Sequence, residues 1–198
     1  MPRRSAEQVA EGRQAILSAA TIEASVYGFR AASIGRLAER VGMSKSGLVR
    51  HFGDKEGLQL AALQAGIGLF VADVWRPVAE AQPGLARLLA LCDAWLEHHR
   101  RRTFPGGCLL TTATVEFDAQ PGPVRDAAAN ALARWLKALE REAEIALADG
   151  QLPAGTDPAD LAFALNAFAA QASVALHLFG DEEALARARR LMRRALGR

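Results

Sequence analysis

Residues 33–56, SIGRLAERVGMSKSGLVRHFGDKE, constrain the fold of this chain more than any other stretch. Ser33 can cap a helix whose apolar residues Ile34, Leu37, Ala38 and Val41 recur at helical spacing. Gly42 stands where that helix must stop, because the backbone there needs the left-handed region that glycine enters without steric cost. Ser44 then caps a second helix, with Leu48 and Phe52 four residues apart on one face. Two short helices joined by a tight, glycine-containing turn form a helix-turn-helix, the unit that lays its second helix in the major groove of DNA. The pattern alone leaves another reading open. Ala38 is also what a close helix crossing requires, and Lys45, Ser46, Arg50 and His51 also suit a solvated face. Such hairpins occur in all-helical proteins that bind no DNA.

The flanking residues narrow the choice. Residues 16–29 (ILSAATIEASVYGF), with Ser33, Ala38, Gly42, Ser44, Lys45, Gly47, Leu48, His51, Phe52, Lys55, Glu56 and Leu58, resemble the TetR family of bacterial transcriptional repressors. FPGGCLL at residues 104–110 is similar to a segment in one branch of that family's C-terminal domains. One departure matters. Val49 stands where the family most often has a tyrosine whose hydroxyl contacts a DNA phosphate, and valine cannot make that hydrogen bond.

The composition agrees with an all-helical, globular chain. Hydrophobic residues make up 51% and charged residues 23%, which argues against disorder. The wealth of Ala and Leu, with a single Tyr, favours helix over strand. No uninterrupted apolar run reaches the 18 residues of a membrane span, and MPRRSAEQVAEGR lacks a signal-peptide core, so a cytoplasmic protein with no membrane partner is expected. Cys92 and Cys108 lack metal-ligand spacing and read as free thiols. Residues 1–58 carry a net charge of +3 and the remainder −1, so the positive excess lies on the segment with the helix-turn-helix, as phosphate binding would need. There is no Gly-rich phosphate loop, HExxH pair or nucleophile elbow, and the adjacent His98 and His99 point about 100° apart on a helix. The expectation is therefore no enzyme, no cofactor and no metal.

About nine helices are expected, over 8–27, 33–41, 44–51, 54–80, the stretch from the Gln82–Gly84 turn to His99, 108–117, 124–148, 159–179 and 182–196. Asp54 is the cap of the fourth, and Pro77 should end or kink it. The division read from this pattern is a helix-turn-helix domain over 1–54 and a helical ligand-binding and dimerisation domain over 55–198.

Chemistry and the resemblance together assign the roles. Ser44, Lys45 and Ser46 open the recognition helix where base edges and phosphates meet, and the family pattern adds Gly47. Arg50 can clamp a guanine, while Ser33, His51 and Lys55 suit phosphates. Arg3 and Arg4 can reach the neighbouring backbone or minor groove, and suit a merely solvated terminus equally well. Small and apolar residues at helical spacing mark a homodimer interface in Ala128, Leu132, Trp135 and Leu139 and in Ala164, Ala167, Gln171 and Val174. The resemblance further implies release from operator DNA by a small-molecule effector. Candidate pocket walls are Trp75, Leu88, Trp95, Phe104, Cys108, Phe117, Phe163 and Phe168, with His98, His99 and Asn166 as polar groups. The rival function is an all-helical dimeric ligand-binding or interaction protein that has lost DNA binding, and Val49 is the residue that sustains it.

Overall fold

The computed structural model describes residues 6–198, with side chains from Ala10 onward. The described residues form nine α-helices and no strand. They are α1 (Ala6–Tyr27), α2 (Ile34–Arg40), α3 (Lys45–Phe52), α4 (Lys55–Phe70), α5 (Leu85–Arg100), α6 (Leu109–Phe117), α7 (Pro123–Ala148), α8 (Pro158–Phe179) and α9 (Glu183–Ala195). The fourth helix departs from the expected continuous run to residue 80. After Phe70 it widens into a π turn over Val71–Trp75 and then tightens into a 3-10 turn over Arg76–Val78. Pro77 supplies the cause, because it has no N–H to continue the ladder and its ring crowds the preceding turn.

The chain divides into two compact units: residues up to Ile67 with Phe104–Ala128, and Gly68–Thr103 with Ala129–Arg198. In the first unit α1 buries Ile16, Ala20 and Ala24 along one stripe, against Leu37 and Ala38 of α2, Leu48 of α3 and Leu58, Ala62 and Leu63 of α4. Phe29, Phe104, Leu109, Ala113, Val124 and Ala128 complete this core. The FPGGCLL segment has a steric reason here. A Cβ on Gly106 would collide with the Ser25 carbonyl, so only glycine lets this loop press on the backbone of α1. The Gly106 N–H donates to Ser25 Oγ at 3.3 Å.

The second unit packs α5, α7, α8 and α9 around Leu88, Leu91, Trp95, Leu96, Leu139, Leu165, Ala169 and Met192. Phe70, Trp95 and Trp135 meet edge to face, with ring centroids 4.8–5.9 Å apart, the arrangement their quadrupoles favour. Burial, reinforced by Asp93, pushes the Cys92 thiol up to about 12, which keeps it protonated and unreactive. Helix α8 is apolar on two sides. Leu161, Leu165, Ala169, Ala172 and Leu176 are buried, while Phe163, Val174, Leu178 and Phe179 are exposed.

Two segments correct the hydropathy reading. Lys55–Val78 and Pro158–Phe179 are each long and apolar enough to cross a membrane by length and composition, with a mean hydropathy of 1.5 over an 18-residue window. Gly, Gln and Asn interrupt their apolar runs without lowering the average below that of a span. The buried stripes of both segments pack in the two cores just described.

His99 yields a pH prediction. Its side chain is buried, and its Nε2 has no hydrogen-bond partner among the described residues. Its pKa is pushed down from 6.5 to about 3, chiefly by burial and in smaller part by the charges of His98 and His177. The unfolded chain therefore takes up this proton first as pH falls. The contribution of neutral His99 is complete above about pH 6.5 and is lost as pH drops from there toward 3. Urea unfolding of the wild type should lose about 2 kcal/mol more between pH 7 and pH 5 than unfolding of His99→Phe. An identical pH dependence in the two proteins would remove the assignment.

Candidate nucleic-acid interface

The recognition unit is built from short-range rules. Ser33 caps α2, its Oγ accepting the Arg36 N–H at 3.2 Å. At the other end Gly42 takes φ +66°, and the N–H of Met43 donates to the Ala38 carbonyl at 2.8 Å while that of Gly42 donates to Glu39. This closes α2 in a Schellman turn. Ser44 caps α3 in the same way as Ser33 caps α2, accepting from the Gly47 N–H at 3.1 Å, and its hydroxyl lies 3.2 Å from that of Ser46. Asp54 caps α4 through the Gly57 N–H.

Leu48 is the anchor of α3 and is fully buried. With it turned inward, Lys45, Ser46, Val49 and Arg50 form the exposed face of the helix. Neither Lys45 nor Arg50 makes an ion pair among the described residues, so both cations are held out to solvent. His51 is half-buried against Phe52, and its carbonyl accepts a hydrogen bond from Arg13 Nη1 at 2.8 Å. The Arg13 guanidinium also lies 4.7 Å from the centre of the Phe52 ring, a cation–π contact that fixes the end of α3 to α1. Lys55 is exposed, with its Nζ donating to the Arg30 carbonyl at 2.6 Å. Arg3 and Arg4 lie outside the described residues.

Several supporting residues carried no local sequence signal. Buried Glu23 on α1 faces Arg40 at 3.6 Å and Arg36 at 3.9 Å, drawing α2 onto α1. The turn after α1 is gripped from later helices. Both oxygens of Glu116 on α6 accept backbone N–H groups, from Phe29 at 2.7 Å and Arg30 at 2.6 Å. Gln59 Nε2 donates to the Phe29 carbonyl at 2.8 Å. With Lys55 on the Arg30 carbonyl, all four backbone polar groups of these two residues are satisfied by side chains. Only a sequence separation of more than 80 residues hides Glu116 from pattern reading.

The residues named as pocket walls fall in both units. Phe104 is buried and Cys108 and Phe117 are half-buried in the first unit, whereas Leu88 and Trp95 are buried and Trp75 and Phe168 half-buried in the second. Phe163 is 70% exposed on α8, which corrects its reading as an interior wall. Of the residues named for a dimer, Ala128, Trp135 and Leu139 are at most 8% exposed within the chain's own cores, so their side chains are not available to a second copy. Periodicity finds an apolar stripe but does not say which body it faces. Leu132 and Ala164 are half-buried, and Ala167, Gln171 and Val174 are exposed on α8. A shallow groove of about 130 Å³ runs along α8 and α9, lined by Phe168, Gln171, Ala172, Ala175, Ala184, Arg187, Ala188 and Leu191.

Comparison with known proteins bears on this arrangement. Several solved structures share the fold. A TetR transcriptional regulator from Chloroflexus aurantiacus is 21% identical, covering 94% of this chain and 95% of that one, with a TM-score of 0.86. A putative transcriptional regulator from Saccharomonospora viridis, solved with choline, is 19% identical over 93% and 95% of the two chains, with a TM-score of 0.77. AibR, solved with isovaleryl coenzyme A and operator DNA, is 23% identical over 84% and 85%, with a TM-score of 0.67. No curated protein gave a match. The family described as "Bacterial regulatory proteins, tetR family" matches residues 16–62, and "Tetracyclin repressor-like, C-terminal domain" matches residues 84–192. The chain therefore belongs to the TetR family of bacterial regulatory proteins.

Proposed function

We propose that this regulator is a repressor that binds a palindromic operator as a homodimer and lets go when a small molecule binds its C-terminal domain. The observation that carries the DNA reading is the exposed face of α3, where Lys45, Ser46 and Arg50 project above a buried Leu48 without ion pairs among the described residues. Arg50 reads guanine, Ser44, Lys45 and Ser46 meet base edges and phosphate at the helix start, and Gly47 keeps the helix surface low. Ser33, His51 and Lys55 take phosphates, Lys55 with the two ammonium protons not given to Arg30. The work divides between residues 1–54, which hold DNA, and 55–198, which hold effector and partner. A DNA partner implies action inside the cell.

For the dimer, the supporting feature is the second apolar stripe of α8. Phe163, Ala167, Gln171, Val174 and Leu178 recur every three to four residues on its exposed side, with Ala164 and Leu132 at the margin. The structures solved with isovaleryl coenzyme A and with choline support a small-molecule effector for this chain too. Its candidate walls in the second unit are Trp75, Leu88, Trp95 and Phe168, with His98, His99 and Asn166 as candidate polar groups.

A salt-titrated gel shift on DNA upstream of the protein's own gene tests the reading. Binding should weaken steeply with salt, and light scattering should give twice the chain mass. No salt-dependent shift on any such DNA would favour the rival ligand-binding protein without DNA binding. Arg50→Ala should relax base preference at one position of each half-site, at a cost of about 1–3 kcal/mol against the selected sequence. Unchanged preference in a binding-site selection would remove Arg50 from base reading.

A further inference from the structure

Gly35 is the second residue of α2 and has helical rather than left-handed backbone, so no turn geometry requires glycine there. Helices disfavour glycine because it surrenders the most backbone freedom. What occupies the space of the missing side chain is Lys45. A methyl group at Gly35 would lie 3.0 Å from Lys45 Cε and 3.4 Å from its Nζ. The end of the Lys45 side chain therefore lies against the first turn of α2, where a side chain at position 35 would have to push it aside.

Lys45 is itself in an unfavourable place. It is the first residue of α3, where the helix dipole presents its positive end, and no carboxylate pairs with it among the described residues. The neighbouring cations of α2 are committed elsewhere, Arg36 and Arg40 both facing Glu23. Two local preferences are thus set aside at one spot. Such local conflicts are expected at functional sites, where a ligand compensates for them. A DNA phosphate supplies the missing negative charge.

We propose that Gly35 is a positioning residue for Lys45, its bare surface leaving room for the end of the lysine side chain so that the ammonium is held ready for a DNA phosphate. This rests on the DNA-binding reading above. Nothing in it requires Gly35 to touch DNA.

The test is a double-mutant cycle on operator DNA obtained by selection with the wild-type protein. Lys45→Ala should weaken binding about tenfold and lower the salt slope by about one. Gly35→Met, which covers that surface, should do the same while leaving the thermal midpoint unchanged or raised, and Gly35→Ala should fall between wild type and Gly35→Met. The double variant of Gly35→Met with Lys45→Ala should bind no more weakly than Lys45→Ala alone. Wild-type affinity in Gly35→Met overturns the proposal. So does a double variant whose loss is the product of the single losses, since the new side chain then meets DNA itself. If selection with the wild type recovers no DNA, the DNA-binding reading fails, and the proposal falls with it; a normal wild type with an inert Gly35 overturns this proposal alone.

Discussion

Arg87→Ala is expected to destabilise the second unit by about 3–5 kcal/mol, the cost of leaving a buried charge without its partner. Glu142 on α7 is 3% exposed, and its carboxylate accepts Arg87 Nη1 at 2.9 Å and the Gly84 N–H at 2.8 Å. Arg87 has further duties. Its guanidinium donates to the carbonyls of Ala79 and Ala81, tying down the turns that lead into α5. Alanine removes all of these donors at once and leaves the carboxylate, among the described residues, with a single backbone N–H. Replacing both partners with methionine should recover most of the loss, because a buried pair exchanged for apolar side chains of similar volume is often neutral. Urea unfolding followed by tryptophan fluorescence reports on this unit directly, since Trp75, Trp95 and Trp135 all lie in it. A loss below 1 kcal/mol for Arg87→Ala would mean that water reaches Glu142 and that the pair is not a dry one.

The same residues show where pattern reading succeeds and where it stops. Ser33, Gly42, Ser44 and Asp54 act within four residues of themselves, so their capping and turning roles follow from sequence and recur in the structure. Helix limits were legible for the same reason, except after Phe70. There the effect of Pro77 reaches back into a π turn that holds Asp73, whose carboxylate lies 2.9 Å from His98 Nδ1. Partners far apart in sequence were not legible. Glu142 with Arg87, Glu116 with Phe29 and Gln59 with Phe29 depend on which helices meet, and helical period is silent on that. Ambiguity of the same kind affected α7 and α8. Trp135 and Leu139 share the spacing of a partner-facing stripe, yet their own unit uses them, whereas the outward stripe of α8 includes Phe163.

Leu48→Ala is expected to cost about 3 kcal/mol and to abolish sequence-specific DNA binding. Helix α3 has eight residues, too few to hold together without tertiary contacts, and Leu48 is its one fully buried side chain. Truncation leaves a cavity among Leu37, Ala38, Ile16 and the other residues of the first core. The exposed cations then lose the frame that aims them. Val49 is the internal control. It is 40% exposed, about 100° around the same helix from Leu48, so Val49→Ala should change stability by less than about 0.5 kcal/mol. Far-UV circular dichroism of Leu48→Ala should begin to fall at lower urea than tryptophan fluorescence, because no tryptophan lies in the first unit. Operator affinity should drop more than a hundredfold at temperatures where the second unit remains folded, a loss of about 3 kcal/mol or more. A Leu48→Ala protein that kept wild-type affinity would show that α3 does not carry the DNA contacts.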